Sequence, residues 1–357
     1  MSIQNLTNSF SGKKIFITGH TGFKGSWLAF LLHELGAEVM GFGLAPETSD
    51  NHFDLLKLEG KIKHVIGDIR DTSLIANTLI EFQPEYVFHL AAQALVRPSY
   101  DDPAATFSTN VIGSVNLLDA VRQCESVRSL VYITSDKCYE NVEWIWGYRE
   151  NDRLGGRDPY SASKAAAEIA FSSYTRSFFD QRPLLGAAST RAGNVIGGGD
   201  WAVDRIIPDC IRAIEAGESV KLRNPGATRP WQHVLEPLSG YLILAQKLYK
   251  DQEEYAEGWN FGPNEQDVKP VDWILDKMIL KWPSSSWKLD VNSNPHEADF
   301  LKLDISKAES RLGWKPVWEL SHTLEKIIGW HRAWLNKEDI RAICLAEIEE
   351  YTRDMNK

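Results

Sequence analysis

Cysteine is scarce in this chain. Four residues (Cys124, Cys138, Cys210 and Cys344) stand in 357, and no two form a Cys-x-x-Cys pair. That spacing offers neither a zinc knuckle nor a disulfide framework, so reduced thiols and no metal site are expected. No apolar run reaches the roughly 18 residues that a membrane span needs. The opening stretch MSIQNLTNSFSGKK lacks an apolar signal core, which points to the cytoplasm. Positive charge is also short: Lys+Arg 39 against Asp+Glu 49 gives a net charge of -10. That is the wrong sign for a broad nucleic-acid surface. Neither nucleic acid nor membrane is expected as a partner, although a small basic pocket for a phosphate is still allowed.

What is present is ordinary globular material. Hydrophobic residues make up 43% and charged residues 25%, enough to bury a core without staples. The length suits two domains, or one large domain with an appended lobe. In the first half, strand and helix patterns alternate. Lys13–Thr18, Glu38–Phe42, Ile62–Ile66, Tyr86–Leu90 and Leu130–Thr134 read as strands. Ser26–Leu35, Thr72–Phe82 and Ala105–Gln123 read as helices between them. That order predicts a parallel, doubly wound α/β sheet with helices on both faces.

The second half reads differently. Glycine and proline are dense from Gly193 to Pro230, and twelve of the thirteen tryptophans follow residue 140. Helical spacing returns at Asp204–Ala216, Leu235–Tyr249, Val271–Lys281 and Ser321–Trp334. We expect residues 1–190 to form the sheet domain, with a return to it around 232–265. Residues 191–357 would form a smaller lobe, with Lys337–Lys357 as an extra exposed helix.

A turn rich in glycine, Thr18-Gly19-His20-Thr21-Gly22-Phe23-Lys24-Gly25, joins the first strand to the first long helix. Such a turn lets backbone approach a pyrophosphate at a helix N-terminus. The acidic residue that normally binds the ribose 2′-hydroxyl of NAD is missing after the second strand, where Met40-Gly41-Phe42-Gly43-Leu44 stands. No arginine replaces it to favour NADP. Loose retention of NAD is the expectation.

Further on, Asp158-Pro159-Tyr160-Ser161-Ala162-Ser163-Lys164 reads as a helix start, with Asp158 as N-cap and Pro159 at the first position. Tyr160 and Lys164 then share a face. An ammonium beside a phenol favours the phenolate. Moving a tyrosine from about 10 toward about 7 takes roughly 4 kcal/mol. Tyr160 is therefore a candidate base, and Lys164 its partner and a ribose ligand.

With these motifs the chain resembles the extended short-chain dehydrogenase/reductases that act on nucleotide sugars. The matching pieces are residues 18–25, Gly67-Asp68-Ile69-Arg70-Asp71, His89-Leu90-Ala91-Ala92, Asn110-Val111-Ile112-Gly113 and Tyr160–Lys164. The resemblance implies a Rossmann-like sheet that binds NAD, with a substrate-binding C-terminal lobe. It assigns Gly19, Thr21, Gly22, Phe23, Lys24, Gly25, Asp68, Ile69, Leu90, Ala91, Ala92, Thr109, Tyr160, Lys164 and Arg191 to the cofactor. Asn110 takes the place of a structural asparagine. A homodimer paired through the helices near Ala105–Gln123 and Tyr160–Phe179 is also implied.

The chemistry is read from Ser135-Asp136-Lys137, at the end of the fifth strand. Ligand crevices lie at such carboxyl ends. Related 4,6-dehydratases carry Thr-Asp-Glu there, so the chain resembles them with lysine in place of the glutamate. Asp136, protonated, is the candidate acid for a departing 6-hydroxyl. Lys137 is the candidate base at C5, or positions a water or an enolate. Ser135 would bond the 4-oxygen. The stretch Arg191–Trp201 follows another strand, and its Asn194 matches a position that contacts substrate phosphates. Trp201, Arg205, Arg223, Arg229 and His233 lie downstream, with Trp231; arginine suits a diphosphate. GNVIGGGDWAVDRIIPD and TRPWQHVLEP most resemble 4,6-dehydratases that take CDP-glucose, enzymes whose products feed deoxysugars of surface polysaccharides such as lipopolysaccharide O-antigen. A nucleotide-sugar 4-epimerase, a dehydratase for another base and a binding protein without turnover are the alternatives.

Overall fold

The computed structural model describes residues 3–282, 286–290 and 300–357. Its first half runs α1 (Ile3–Phe10), β1 (Lys14–Thr18), α2 (Phe23–Glu34), β2 (Glu38–Gly43), α3 (His52–Leu55), β3 (Lys63–Ile66), α4 (Thr72–Phe82) and β4 (Tyr86–His89). Next come α5 (Val96–Asp101), α6 (Pro103–Phe107), α7 (Ser114–Gln123), β5 (Ser129–Ile133), α8 (Pro159–Ser177) and β6 (Gly186–Ala192). The second half contains β7 (Val195–Ile196), α9 (Ile206–Glu215), β8 (Val220–Leu222), β9 (Thr228–Pro230), β10 (Gln232–His233), α10 (Leu235–Lys250), α11 (Gln252–Tyr255) and β11 (Gly258–Phe261). It ends with β12 (Val268–Pro270), α12 (Val271–Lys281), β13 (Trp287–Leu289), α13 (Leu320–Leu335) and α14 (Ile340–Asp354).

Seven strands form one sheet in the order β11-β6-β5-β4-β1-β2-β3, and every pairing in it is parallel. Side chains alternate across the pleat. In β1, Ile15 and Ile17 join the face covered by α2 and α10, whereas Phe16 joins the face covered by α4, α7 and α8. The doubly wound α/β expectation is met. A third apolar cluster, with Ile207 and Ile211 of α9, Ile274 and Met278 of α12 and Ile327 of α13, supports the lobe above the strand ends.

Two local expectations are corrected. The Ala105–Gln123 helix is broken by a π-helical turn at Ser108–Gly113 between α6 and α7. Asn110 in that turn is spent on side-chain bonds described below; π turns of this kind occur often at functional sites. The C-terminal helix is not an exposed appendage. Ile340, Cys344, Glu347, Ile348 and Tyr351 of α14 are buried against the main core.

Candidate active site

The sheet's carboxyl edge and the lobe enclose a cavity of about 750 Å³. Its walls carry Lys24, Ser135, Asp136, Lys137, Tyr160, Lys164, Asn194, Arg205, Arg223 and Arg229. Residues spread over some two hundred positions thus meet in one place, where the topology of an open parallel sheet puts ligands.

β5 delivers the first group. Ser135 caps a single 3-10 turn at Asp136–Cys138. Its Oγ donates to Asp136 Oδ1 at 2.9 Å and accepts from the Lys137 amide at 3.3 Å. Asp136 is 2% exposed, and its Oδ2 has no hydrogen-bond partner among the described residues. Burial pushes its carboxyl up, against the pull of Lys137 and the Ser135 bond. A raised carboxyl holds its proton longer, as a donor to a leaving hydroxyl must. Gly193 makes the seat possible: a Cβ there would fall 1.7 Å from Asp136 Oδ2.

α8 delivers the second group. Asp158 accepts from the Ser161 amide at 2.9 Å and Pro159 fills the first turn, as expected. The Tyr160 amide donates to Ser99 Oγ at 3.1 Å. Lys164 Nζ lies 5.9 Å from the centre of the Tyr160 ring. The expectation that this lysine draws the phenol down is overturned for the chain alone. Burial outweighs the Ser135 hydrogen bond and pushes Tyr160 up to about 12. Burial also lowers Lys164 to about 8. Behind the pair, Asn110 Oδ1 accepts from the Gln93 amide at 2.8 Å, and its Nδ2 donates to Ser163 Oγ at 2.8 Å. Asn110 therefore braces α8 from the rear.

The glycine turn supplies a helix N-terminus. Gly22 caps α2 without a side-chain bond, which leaves the first amides for an anion. Gly19 has φ +75°, and a Cβ on it would reach 2.8 Å from the Ala91 amide nitrogen. Leu90 and Ala91 donate their amides to Thr18 Oγ1 at 3.1 and 3.2 Å. Thr18 also meets His89 Nδ1 at 2.7 Å; burial holds that ring neutral, near 3. Thr21 donates to the Leu44 carbonyl. Lys24 is half-buried on the cavity wall. Burial, with Lys164 and Arg205 nearby, lowers it to about 7. Three basic side chains facing one cavity, two of them with lowered pKa values, fit a ligand whose phosphate charge would favour their protonated forms.

Other expected cofactor residues lie further out. Asp68 is bound by Arg70, whose Nε donates at 2.9 Å. Ile69 is buried under Gly113, and Thr109 is half-buried in the π turn. Beside the end of β2, where an acid was missing, the His20 ring is packed so tightly that a Cβ on Gly41 would reach 2.3 Å from it.

Three assignments are corrected. Arg191 does not face the cavity. It bonds Glu168 at 2.9 and 3.1 Å and Tyr139 Oη at 2.8 Å inside the fold. His233 is fully buried between Trp27 and Trp318, and burial lowers it to about 3. Trp201 packs edge-on against Trp330 and Trp334 of α13, while Trp231 lines the cavity instead. Asn194 sits at φ 45°. Arg205 bonds Asp200 at 3.0 Å, and Arg229 is buried with Nη1 on the Thr228 carbonyl. Sequence reasoning missed Arg97, Asp200 and Asp204, which also line the cavity. No spacing signal marks them.

Residues 16–327 match the family model described as GDP-mannose 4,6 dehydratase. A CDP-glucose 4,6-dehydratase of Salmonella typhimurium is 52% identical over 349 residues, 96% of this chain and 97% of its own length. A dTDP-glucose 4,6-dehydratase of Xanthomonas campestris is 26% identical, over 88% of this chain and 92% of its own. Among solved structures, the dTDP-glucose 4,6-dehydratase of Bacillus anthracis in complex with NAD superposes with TM-score 0.75 at 22% identity, covering 90% of this chain and 97% of that one. The UDP-glucose 4-epimerase of Thermotoga maritima with UDP-glucose gives 0.77 at 24% identity, over 90% and 99%.

Proposed function

The chain belongs to the GDP-mannose 4,6 dehydratase family, and from that premise we propose that it is an NAD-dependent hydro-lyase converting CDP-glucose to CDP-4-keto-6-deoxyglucose. The observation that carries the reading is Asp136, a buried carboxyl with a raised pKa, on the same cavity as Tyr160. Simple 4-epimerisation needs no elimination acid. The 52% identity to a CDP-glucose 4,6-dehydratase supports the choice of base.

The uncapped start of α2 and the lysines at 24 and 164 fit a dinucleotide. In this reading Gly19, Thr21, Gly22, Phe23, Lys24 and Gly25 hold its diphosphate. Asp68 and Ile69 meet the adenosine end, and Leu90, Ala91, Ala92, Thr109, Tyr160 and Lys164 meet the remainder. When bound, NAD supplies the oxidising equivalent, taking hydride from C4 and returning it at C6.

The chain's own residues move the protons. Tyr160 accepts the 4-hydroxyl proton while Ser135 bonds the same oxygen. A phenol held near 12 is a poor base at neutral pH, so its deprotonation depends on positive charge beside it, from the Lys164 ammonium and the nicotinamide ring of bound NAD. The resulting 4-ketone acidifies C5–H. Lys137 takes that proton, directly or through a water, Asp136 gives its proton to the 6-hydroxyl, which leaves as water, and Lys137 returns its proton to C5 as C6 is reduced. Asn194, Arg205, Arg223 and Arg229 hold the substrate diphosphate.

In the same reading residues 1–190, with the return at 232–265, form the NAD-binding domain and 191–357 the substrate lobe. The position of β11 beside β6 supports the return. The exposed Phe107, Ile112 and Ile169 on α6–α8 support a homodimer through those helices. A cytoplasmic place and a role in supplying deoxysugars for surface polysaccharide complete the reading. Mass spectrometry of the product from CDP-glucose and NAD, beside the dTDP, GDP and UDP analogues, tests it. Loss of one water from the CDP sugar alone is expected. Loss from another nucleotide overturns the base choice, and an unchanged mass overturns the dehydration.

A further inference from the structure

Two arginines from opposite walls of the cavity converge on one carboxylate oxygen. Arg97, on α5 at the sheet side, places Nη1 3.0 Å from Asp204 Oδ1. Arg223, after β8 in the lobe, places Nη1 3.5 Å from the same oxygen. Arg223 Nη2 also lies 3.5 Å from the Asp204 carbonyl. All three residues line the cavity that holds the candidate catalytic groups. Asp204 itself stands at φ 61°, a left-handed conformation that Asp and Asn adopt more readily than other residues with a Cβ. It lies between an exposed Val203 and Arg205.

We propose that Arg97 is a further ligand of the substrate diphosphate and that Asp204 is its stand-in partner until the diphosphate arrives. The proposal rests on the reading of the cavity as a nucleotide-sugar site. The ion pair is not a structural bond of weight. Its side chains are 36% and 30% exposed, and ion pairs so open to solvent contribute little to stability. A diphosphate carries more charge and more acceptor oxygens than the Asp204 carboxylate that both guanidinium groups touch, and planar forks suit it. The exchange would bring both walls of the cleft onto the ligand. The wall from which Arg97 projects also supplies Ser99, which holds the Tyr160 amide. Gripping the diphosphate from this side would seat the sugar over Tyr160.

The test uses the whole enzyme with NAD present, the variants Arg97→Gln and Asp204→Asn, and two probes, CDP and inorganic pyrophosphate. Asparagine tolerates a left-handed backbone, so Asp204→Asn removes the charge and keeps the turn. Calorimetric titration should show Arg97→Gln binding both probes at least tenfold more weakly. Asp204→Asn should bind both at least threefold more tightly, because no carboxylate has to be displaced. In turnover, Arg97→Gln should raise KM with little change in kcat. Unchanged affinity in Arg97→Gln, weaker affinity in Asp204→Asn, or no binding of either probe by the unaltered enzyme overturns the proposal. Turnover of CDP-glucose by the unaltered enzyme separately decides the reading on which it rests. Pyrophosphate binding that responds as predicted without any CDP-glucose turnover would sink that reading and keep Arg97 as a diphosphate ligand.

Discussion

Gly193 carries no side chain, and the position of Asp136 depends on that. Any Cβ at 193 would overlap Asp136 Oδ2, so Gly193→Ala must push the carboxyl out of its buried seat. We expect kcat to fall by about 10² to 10⁴, the usual contribution of a positioned acid. The overpacking itself should cost only about 1–3 kcal/mol of stability. Steady-state rates with a calorimetric melt check both, and near-normal turnover would contradict the role given to Asp136. The dependence is invisible in the sequence, because 136 and 193 are joined only by the pairing of β5 with β6. By contrast, Ser135, Asp136, Lys137, Tyr160 and Lys164 are legible because each motif is local and follows a strand or starts a helix. Arg191 and His233 were misassigned for the opposite reason. Their partners, Glu168 for one and the rings of Trp27 and Trp318 for the other, lie far away in the chain. A charged or titratable side chain reads as a ligand until its buried neighbour is known.

The C-terminal helix shows how an element can be located but misjudged. Its sequence, IRAICLAEIEEYTRD, scatters acids among apolar residues and suggests a solvated face. In the fold, Tyr351 donates to Glu236 Oε2 at 2.7 Å, and Glu236 also receives the Val317 and Trp318 amides. Glu347 is 6% exposed, and its Oε2 lies 3.8 Å from His233 Nε2. That histidine is held neutral by burial, so the contact is no ion pair. Burial raises Glu347 from 4.5 to about 8, with Lys326 pulling it down and Glu350 pushing it up. The folded state therefore binds a proton that the unfolded state releases above about pH 4.5. Stability from this group is present below that pH and is lost as pH rises toward 8. Glu347→Gln should be near neutral at pH 5 and should stabilise by on the order of 2 kcal/mol at pH 8. Buried His52, His89, His233 and His331, each lowered to about 3, give the opposite slope. The informative quantity is accordingly the difference between variant and parent in denaturant melts at the two pH values. An equal difference at both would contradict the buried, protonated Glu347.

At the scale of the molecule, the parallel order of the sheet and its enclosing lobe account for the placement of the chemistry. β1, β4, β5 and β6 all end beneath one cavity, and α9 and the segments around β8 and β9 close it from above. The alternation of strand and helix made the sheet legible, since a doubly wound order follows from it. The lobe's short strand pairs, such as β9 with β12 and β8 with β13, were not legible. They are two or three residues long and joined across long separations, so no periodicity announces them. The central claim is that one enclosed site oxidises C4, eliminates water across C5–C6 and returns the same hydride to C6. The most direct measurement uses CDP-glucose carrying deuterium at C4, with the product analysed by mass spectrometry and NMR. The account predicts loss of one water with the deuterium retained on C6 of the same molecule. Deuterium restored to C4 without loss of water, or absent from the product, would contradict it.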